Sequence, residues 1–168
     1  MFSPKIRVVY HACSDSTQSL ARELGAELDC GVEKLVDRET RWGVQRPLRS
    51  RLDAALGRRA TLLEPHHDPA SYDLISIGTP ILGRSMSSAV RSYLELNRGR
   101  FQQVAFFAVG SPASCARAFE QMREAADLDP VAVLCLSEHD LDGANYVPRV
   151  RAFAERLQGV AAFDRNAA

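Results

Sequence analysis

Residues 72–97, YDLISIGTPILGRSMSSAVRSYLELN, carry the pattern that decides the fold. Residues 73–78 are almost entirely apolar, which predicts a β-strand that is covered on both faces of a sheet. Residues 86–97 predict a helix, because Val90 and Leu94 lie one turn apart on the same face. A strand, a short loop with glycine and proline, and a helix in this order form the basic unit of an α/β protein.

The same unit recurs on both sides of this stretch. Further strands are predicted at residues 6–10, 32–36, 104–109 and 131–136, and further helices at 16–28, 114–128 and 146–158. Alternating strands and helices imply right-handed crossovers and a mostly parallel sheet with helices on both faces. We therefore predict an α/β fold, a three-layer α/β/α sandwich around a five-stranded parallel sheet.

Length and composition fit one globular domain, which we place at residues 1–160, with a C-terminal tail at 161–168. The chain has 168 residues, of which 46% are hydrophobic and 25% charged. Its 21 basic and 21 acidic residues give a formal net charge of zero, which disfavours a nucleic-acid partner. The sequence contains no run of about 18 apolar residues, so it predicts no membrane-spanning helix.

The four cysteines, Cys13, Cys30, Cys115 and Cys135, form neither a Cys-x-x-Cys pair nor a zinc-binding pattern. We therefore expect free thiols in the reducing cytoplasm and no metal site. Cys13 and Cys115 fall in predicted ligand loops, so a redox role for this pair and a simple packing role both stay open.

Residues 37–72 interrupt the alternation. They are rich in arginine, contain Trp42, and predict a helix at about 47–57 followed by an irregular loop at 65–69. A solvated helix face and a patch that binds a partner or a phosphate are both compatible with these arginines. The segment could cover a ligand site or pack elsewhere.

In a sheet of this kind, ligands bind in the loops that follow the carboxyl ends of the strands. The candidate loops are residues 11–17, 79–85 and 110–114. His11 at the end of the first strand would lie near any ligand, although most histidines in such positions only pair with the protein itself.

These loops carry motifs that resemble the flavodoxin-like family. Ser14-Asp15-Ser16-Thr17 stands where the family has its phosphate loop, and residues 78–87, GTPILGRSMS, are similar to its Gly-Thr-Pro-hydrophobic-Trp segment. Residues 104–107 and 118–122 are also similar, and the resemblance extends from about residue 5 to 157. It implies a flavodoxin-like fold with sheet order 2-1-3-4-5 and FMN as the cofactor.

The resemblance also implies a set of cofactor-binding residues and no catalytic residue. The phosphate would be held at the start of a helix by the first loop, and the flavin ring by the second and third loops. These residues are Ser14, Asp15, Ser16, Thr17, Thr79, Pro80, Ile81, Leu82, Gly83, Gly110 and Ser111.

Three residues depart from the family pattern. Asp15 replaces a glycine, and with Gln18 it predicts a capping box in which Asp15 is the N-cap and competes with the phosphate. Leu82 stands where the family often has tryptophan, so the flavin ring loses a stacking partner unless Trp42 or Tyr146 supplies one. Pro112 removes a backbone donor from the third loop.

Two functions follow from these residues. The first is an FMN-binding electron-transfer or oxidoreductase protein with a redox protein partner. The alternative is a flavin-free protein of the same fold that binds a protein partner or another small ligand, which the three departures favour. The net charge of zero also differs from the acidic character of small flavodoxins and disfavours a simple electron carrier.

Overall fold

The computed structural model describes residues 3–37, 56, 60–62 and 67–165. Five strands form a parallel sheet of order β2-β1-β3-β4-β5. They are β1 (Ile6–Tyr10), β2 (Gly31–Lys34), β3 (Leu74–Pro80), β4 (Val104–Val109) and β5 (Val133–Leu136). The predicted fold class and strand order are therefore confirmed.

Helices cover both faces of the sheet. They are α1 (Asp15–Glu27), α2 (Ser88–Leu96), α3 (Pro112–Ala126), α4 (Glu138–Asp142) and α5 (Val147–Arg165), with 3-10 turns at Pro69–Ser71 and Ala144–Tyr146. The helices α1 and α5 share one buried cluster with the sheet, and α2 and α3 share the other. Within the described residues, no helix is both long and apolar enough to cross a membrane.

The strands β3 and β4 are buried along their whole length because helices cover both of their faces. They approach closely at their carboxyl ends. A Cβ atom on Gly78 would lie 2.2 Å from Cζ of Phe107, so β3 needs a glycine there. This close packing fixes the position of the loop that follows β3.

Several predicted boundaries differ from the structure. α3 begins at Pro112 rather than 114, because proline suits the first helical position, where no N–H bond is needed. α5 was predicted to end at 158, with a loose tail beyond it, but the helix continues to Arg165. Of the predicted helix at 47–57 only Leu56 is described, as an exposed turn residue, and Trp42 lies outside the described residues.

Candidate functional site

The first, second and third loops lie side by side at the carboxyl end of the sheet. The N–H of His11, just after β1, donates to the carbonyl of Gly78 in β3 at 3.1 Å. The N–H of Gly110, just after β4, donates to Leu136 at the end of β5 at 2.8 Å. The predicted ligand loops are therefore brought together, and we call this region the carboxyl-end site.

The first loop leads into α1 through Ser14, and the prediction that Asp15 is the N-cap is wrong. Ser14 has extended backbone and is the N-cap, while Asp15 is the first helical residue. An acidic side chain in the first turn is still favoured by the helix dipole. The Ser14 side chain makes no cap hydrogen bond, whereas Ser87, Ser111 and Ser137 cap α2, α3 and α4.

A carboxylate from the far end of the chain reaches this loop. The hydroxyl of Ser16 donates a hydrogen bond of 2.6 Å to Oε2 of Glu138, the first residue of α4. Sequence reasoning missed this residue because α4 is too short to show a helical period. A usable signal was present, since Ser137 and Asp140 directly after β5 have the spacing of a capping box.

The second loop begins inside the sheet, because β3 includes Thr79 and Pro80. The buried Oγ1 of Thr79 accepts the N–H of Ser87 at 3.0 Å and donates to the carbonyl of Pro80 at 3.1 Å. The side-chain oxygen of Gln121 on α3 accepts the N–H of Met86 at 3.0 Å. The two ends of the loop are thus bonded to each other, and its second end is bonded to α3.

The tip of the second loop is a tight two-residue turn. Leu82 and Ser85 exchange both of their backbone hydrogen bonds, at 2.9 and 3.1 Å. The central residues Gly83 and Arg84 have φ angles of 56° and 69°, as in a type I′ turn. This turn leaves Gly83 and Arg84 exposed and Ile81 and Leu82 half-buried.

The third loop is shorter than predicted, because only Gly110 and Ser111 separate β4 from α3. The hydroxyl of Ser111 accepts the N–H of Ser114 at 3.3 Å. A Cβ atom on Gly110 would lie 2.8 Å from Cγ1 of Ile81, so the second and third loops are in direct contact. Pro112 belongs to the helix and not to the loop.

The cysteines are arranged differently from the expectation of four free thiols. Cys115 at the start of α3 forms a disulfide with Cys135 on β5, with 6.0 Å between their Cα atoms. The Sγ of Cys135 lies 3.6 Å from the carbonyl of Gly110 in the third loop. Cys115 is therefore paired with Cys135 and not with Cys13. Cys13 and Cys30 are free.

His11, at the start of the first loop, is half-buried, and its Nδ1 atom is fully buried. Its Nδ1 atom has no hydrogen-bond partner among the described residues. Burial, together with the positive charge of Lys34, lowers the pKa of His11 to about 4. The imidazole is therefore neutral at physiological pH and presents a ring nitrogen that the described protein residues do not use.

Tyr146, one of the two aromatic residues that could stack on the flavin ring, makes its contacts with α1 and α5. It lies in the 3-10 turn before α5 and packs against the cluster formed by α1 and α5. A hydrogen bond to the Glu23 carboxylate on α1 raises the pKa of its phenol. Tyr146 therefore belongs to the support of α1.

No protein-family model matches the sequence, and no curated protein matches it significantly. Solved structures do match. A flavoprotein of Lactobacillus acidophilus NCFM in complex with FMN is 20% identical, with a TM-score of 0.65 over 83% of this chain and 97% of its own. A candidate flavoprotein of Bacteroides eggerthii is 19% identical, with a TM-score of 0.70 over 90% of this chain and 96% of its own. The flavodoxin of Megasphaera elsdenii is 17% identical, with a TM-score of 0.51 over 89% of this chain and 98% of its own. The chain therefore has the flavodoxin-like fold that its motifs predicted.

Proposed function

We propose that this flavodoxin-like chain binds FMN at the carboxyl-end site and serves as an electron-transfer or oxidoreductase protein. One observation carries the proposal: the Ser14 side chain leaves the first-turn N–H groups of α1 without a side-chain cap. Such N–H groups, together with the helix dipole, are a phosphate-binding arrangement. The FMN complex of a structure with the same fold supports this choice of ligand.

The residues that would hold FMN are those the family resemblance implies. Ser14, Ser16 and Thr17 would hold the phosphate together with the first-turn N–H groups of α1. Thr79, Pro80, Ile81, Leu82 and Gly83 would face the ring from one side, and Gly110 and Ser111 from the other. Bound FMN would supply a centre that accepts one or two electrons.

The second loop fits this role because it is already ordered. Gln121 and Thr79 hold its two ends, and the backbone pair of Leu82 and Ser85 closes its tip. Ligand binding would therefore cost little ordering of this loop, which favours affinity. The half-buried Ile81 and Leu82 give an apolar surface that would keep water from a flavin face.

A second candidate function is flavin-free binding of a protein partner or another small ligand. The contact of Glu138 with Ser16 favours it, because a carboxylate already occupies a hydroxyl that a phosphate would use. Asp15 adds a second negative charge in the same turn. Leu82 can cover a flavin ring but cannot stack on it as an aromatic side chain does.

The proposal includes a redox protein as partner, no nucleic acid, and a cytoplasmic location. The net charge of zero supports a partner other than nucleic acid. The free cysteines Cys13 and Cys30 fit a reducing compartment, whereas the Cys115–Cys135 disulfide does not favour one. In such a compartment the Cys115–Cys135 disulfide would be exposed to reduction.

The test is a flavin titration of the purified full-length chain. We expect visible flavin absorption bands, or quenching of FMN fluorescence when FMN is added to protein without flavin. Ser14→Ala should weaken FMN binding by about tenfold, because a hydrogen bond to a charged group is lost. Ser71→Ala, a change of the same kind in the turn before β3, should leave it unchanged.

Two results would contradict the FMN proposal. One is the absence of flavin bands together with unchanged FMN fluorescence at high protein concentration, which would favour the flavin-free candidate. The other is FMN binding that is weakened equally by Ser14→Ala and Ser71→Ala, because it would locate the ligand away from the first loop.

A further inference from the structure

The first turn of α1 carries two carboxylates from different parts of the chain. Asp15 is its first helical residue, and Glu138 on α4 accepts the hydroxyl of Ser16 at 2.6 Å. Both acidic residues are exposed, and Ser16 is half-buried. The turn that would receive a phosphate is therefore bordered by negative charge.

The position of Glu138 is fixed by the anchoring of α4. The Ser137 N–H donates to Oδ2 of Asp140 at 2.7 Å, and the Asp140 N–H donates to the Ser137 hydroxyl at 3.1 Å. Arg149 on α5 pairs with Oδ2 of Asp140 at 3.3 Å and donates to the carbonyl of Cys135 at 2.6 Å. The helix is thus held to both β5 and α5, and its first residue stays beside α1.

A cation, Lys34, lies near the same turn. Nζ of Lys34, at the end of β2, donates a hydrogen bond of 3.4 Å to the Gln18 side chain, and its charge acts on His11 and Cys13. Lys34 therefore offsets part of the negative charge from the β2 side of the first loop. Among the described residues, the contacts of Ser16 and Glu138 include no cation on this α4 side.

We infer that Glu138 is a specificity-determining residue that sets how well the site accepts FMN compared with riboflavin, the flavin without a phosphate. This inference rests on the proposed function. A phosphate monoester carries close to two negative charges at neutral pH, so a carboxylate within a few ångströms repels it. The terminal alcohol of riboflavin is neutral and can donate a hydrogen bond to Glu138.

The experiment compares FMN and riboflavin in fluorescence titrations at low and high salt. Glu138→Gln keeps the shape of the side chain and removes its charge, so FMN should bind about tenfold more tightly while riboflavin stays within about twofold. High salt should tighten FMN binding to the wild type and have a smaller effect on Glu138→Gln. The matched control is Glu155→Gln, which removes the same charge from an exposed position on α5.

Ser16→Ala separates the two roles of this contact. It removes the hydroxyl and keeps the Glu138 charge, so FMN should bind about tenfold more weakly, as in Ser14→Ala, and adding Glu138→Gln to this variant should still tighten FMN binding. No gain of FMN affinity on Glu138→Gln, either in the wild type or in Ser16→Ala, would overturn the inference. So would equal changes for both flavins, or an equal gain in Glu155→Gln.

A third measurement separates a failure of this inference from a failure of the proposed function. If no variant binds either flavin, the proposed function is wrong. Inorganic phosphate then serves as the probe, followed through the amide NMR signals of residues 15–17. Larger phosphate-induced shifts in Glu138→Gln than in the wild type would support the role of Glu138, and equal shifts would overturn it.

Discussion

At the scale of single residues, Arg84 is the most unusual feature of the carboxyl-end site. It has a φ of 69°, although left-handed backbone is unfavourable for a residue with a Cβ atom by about 1–2 kcal/mol. Glycine removes this cost but loses about 0.5–1 kcal/mol of backbone entropy on folding. We therefore expect Arg84→Gly to raise the free energy of unfolding by about 0.5–1 kcal/mol, as measured by urea denaturation.

The control for this prediction is the same substitution at a helical position. Arg117 is exposed on α3, where glycine is about 1 kcal/mol less favourable than a good helix former. Arg117→Gly should lower the free energy of unfolding by this amount. If both variants were destabilised alike, the backbone of Arg84 would not be under strain in solution.

The residues of the site divide into those that sequence reasoning can find and those it cannot. Asp15 and Leu82 are visible as departures from a family motif, because the motif fixes what each position should be. Glu138 is not visible in this way, because its effect depends on a contact across 122 positions of the chain. The buried Nδ1 atom of His11, which has no partner among the described residues, is likewise recognised only when the surrounding elements are in place.

At the scale of secondary-structure elements, the Cys115–Cys135 disulfide connects α3 to β5. It closes a loop of 20 residues, for which restriction of the unfolded chain gives a stabilisation of about 3 kcal/mol. We expect unfolding under a thiol reductant to require less urea, by an amount corresponding to this energy. The free thiols in the oxidised, denatured protein should number two, from Cys13 and Cys30.

Single substitutions identify the bond behind this effect. Cys135→Ser should abolish the influence of the reductant, whereas Cys13→Ser, at an exposed free cysteine, should retain it. Four titratable thiols in the denatured wild type, with an unfolding curve that does not respond to reductant, would contradict the prediction.

Elements were predictable in proportion to the strength of their own pattern. The bounds of β1 and β4 follow directly from continuous apolar runs, and their observed ends match the predicted ones. The predicted start of α3 was too late, because the sequence marks the start of this helix by a single proline and not by a repeat of apolar residues. α4, with five residues and no buried side chain, has no periodic pattern to detect.

At the scale of the whole molecule, the sheet separates two apolar clusters, while the loops at its carboxyl end lie in both layers. α1 and α4 approach this end from one face, and α2 and α3 from the other. Apolar patterning along the chain determines the layers, but the polar environment of the site results from how the layers meet. The overall charge balance therefore says little about this site, where the carboxylates of Asp15 and Glu138 both lie at the first turn of α1.

The pH dependence of global stability provides a test of this packing. The pKa of His11 is about 4 in the folded protein because of burial and the nearby Lys34 charge, whereas an unfolded histidine titrates near 6.5. Between these values the unfolded chain binds a proton that the folded one does not. The contribution of His11 to the free energy of unfolding is therefore complete above about pH 6.5 and is lost as the pH falls toward 4. At about 1.4 kcal/mol per pKa unit, the loss in the free energy of unfolding approaches 3 kcal/mol.

Urea denaturation from pH 7 to 4.5 should show this fall in the free energy of unfolding in the wild type and a smaller one in His11→Gln. Lys34→Gln should also reduce it, because one cause of the low pKa is removed. Equal slopes in the wild type and His11→Gln would show that His11 is not buried as a neutral ring in solution.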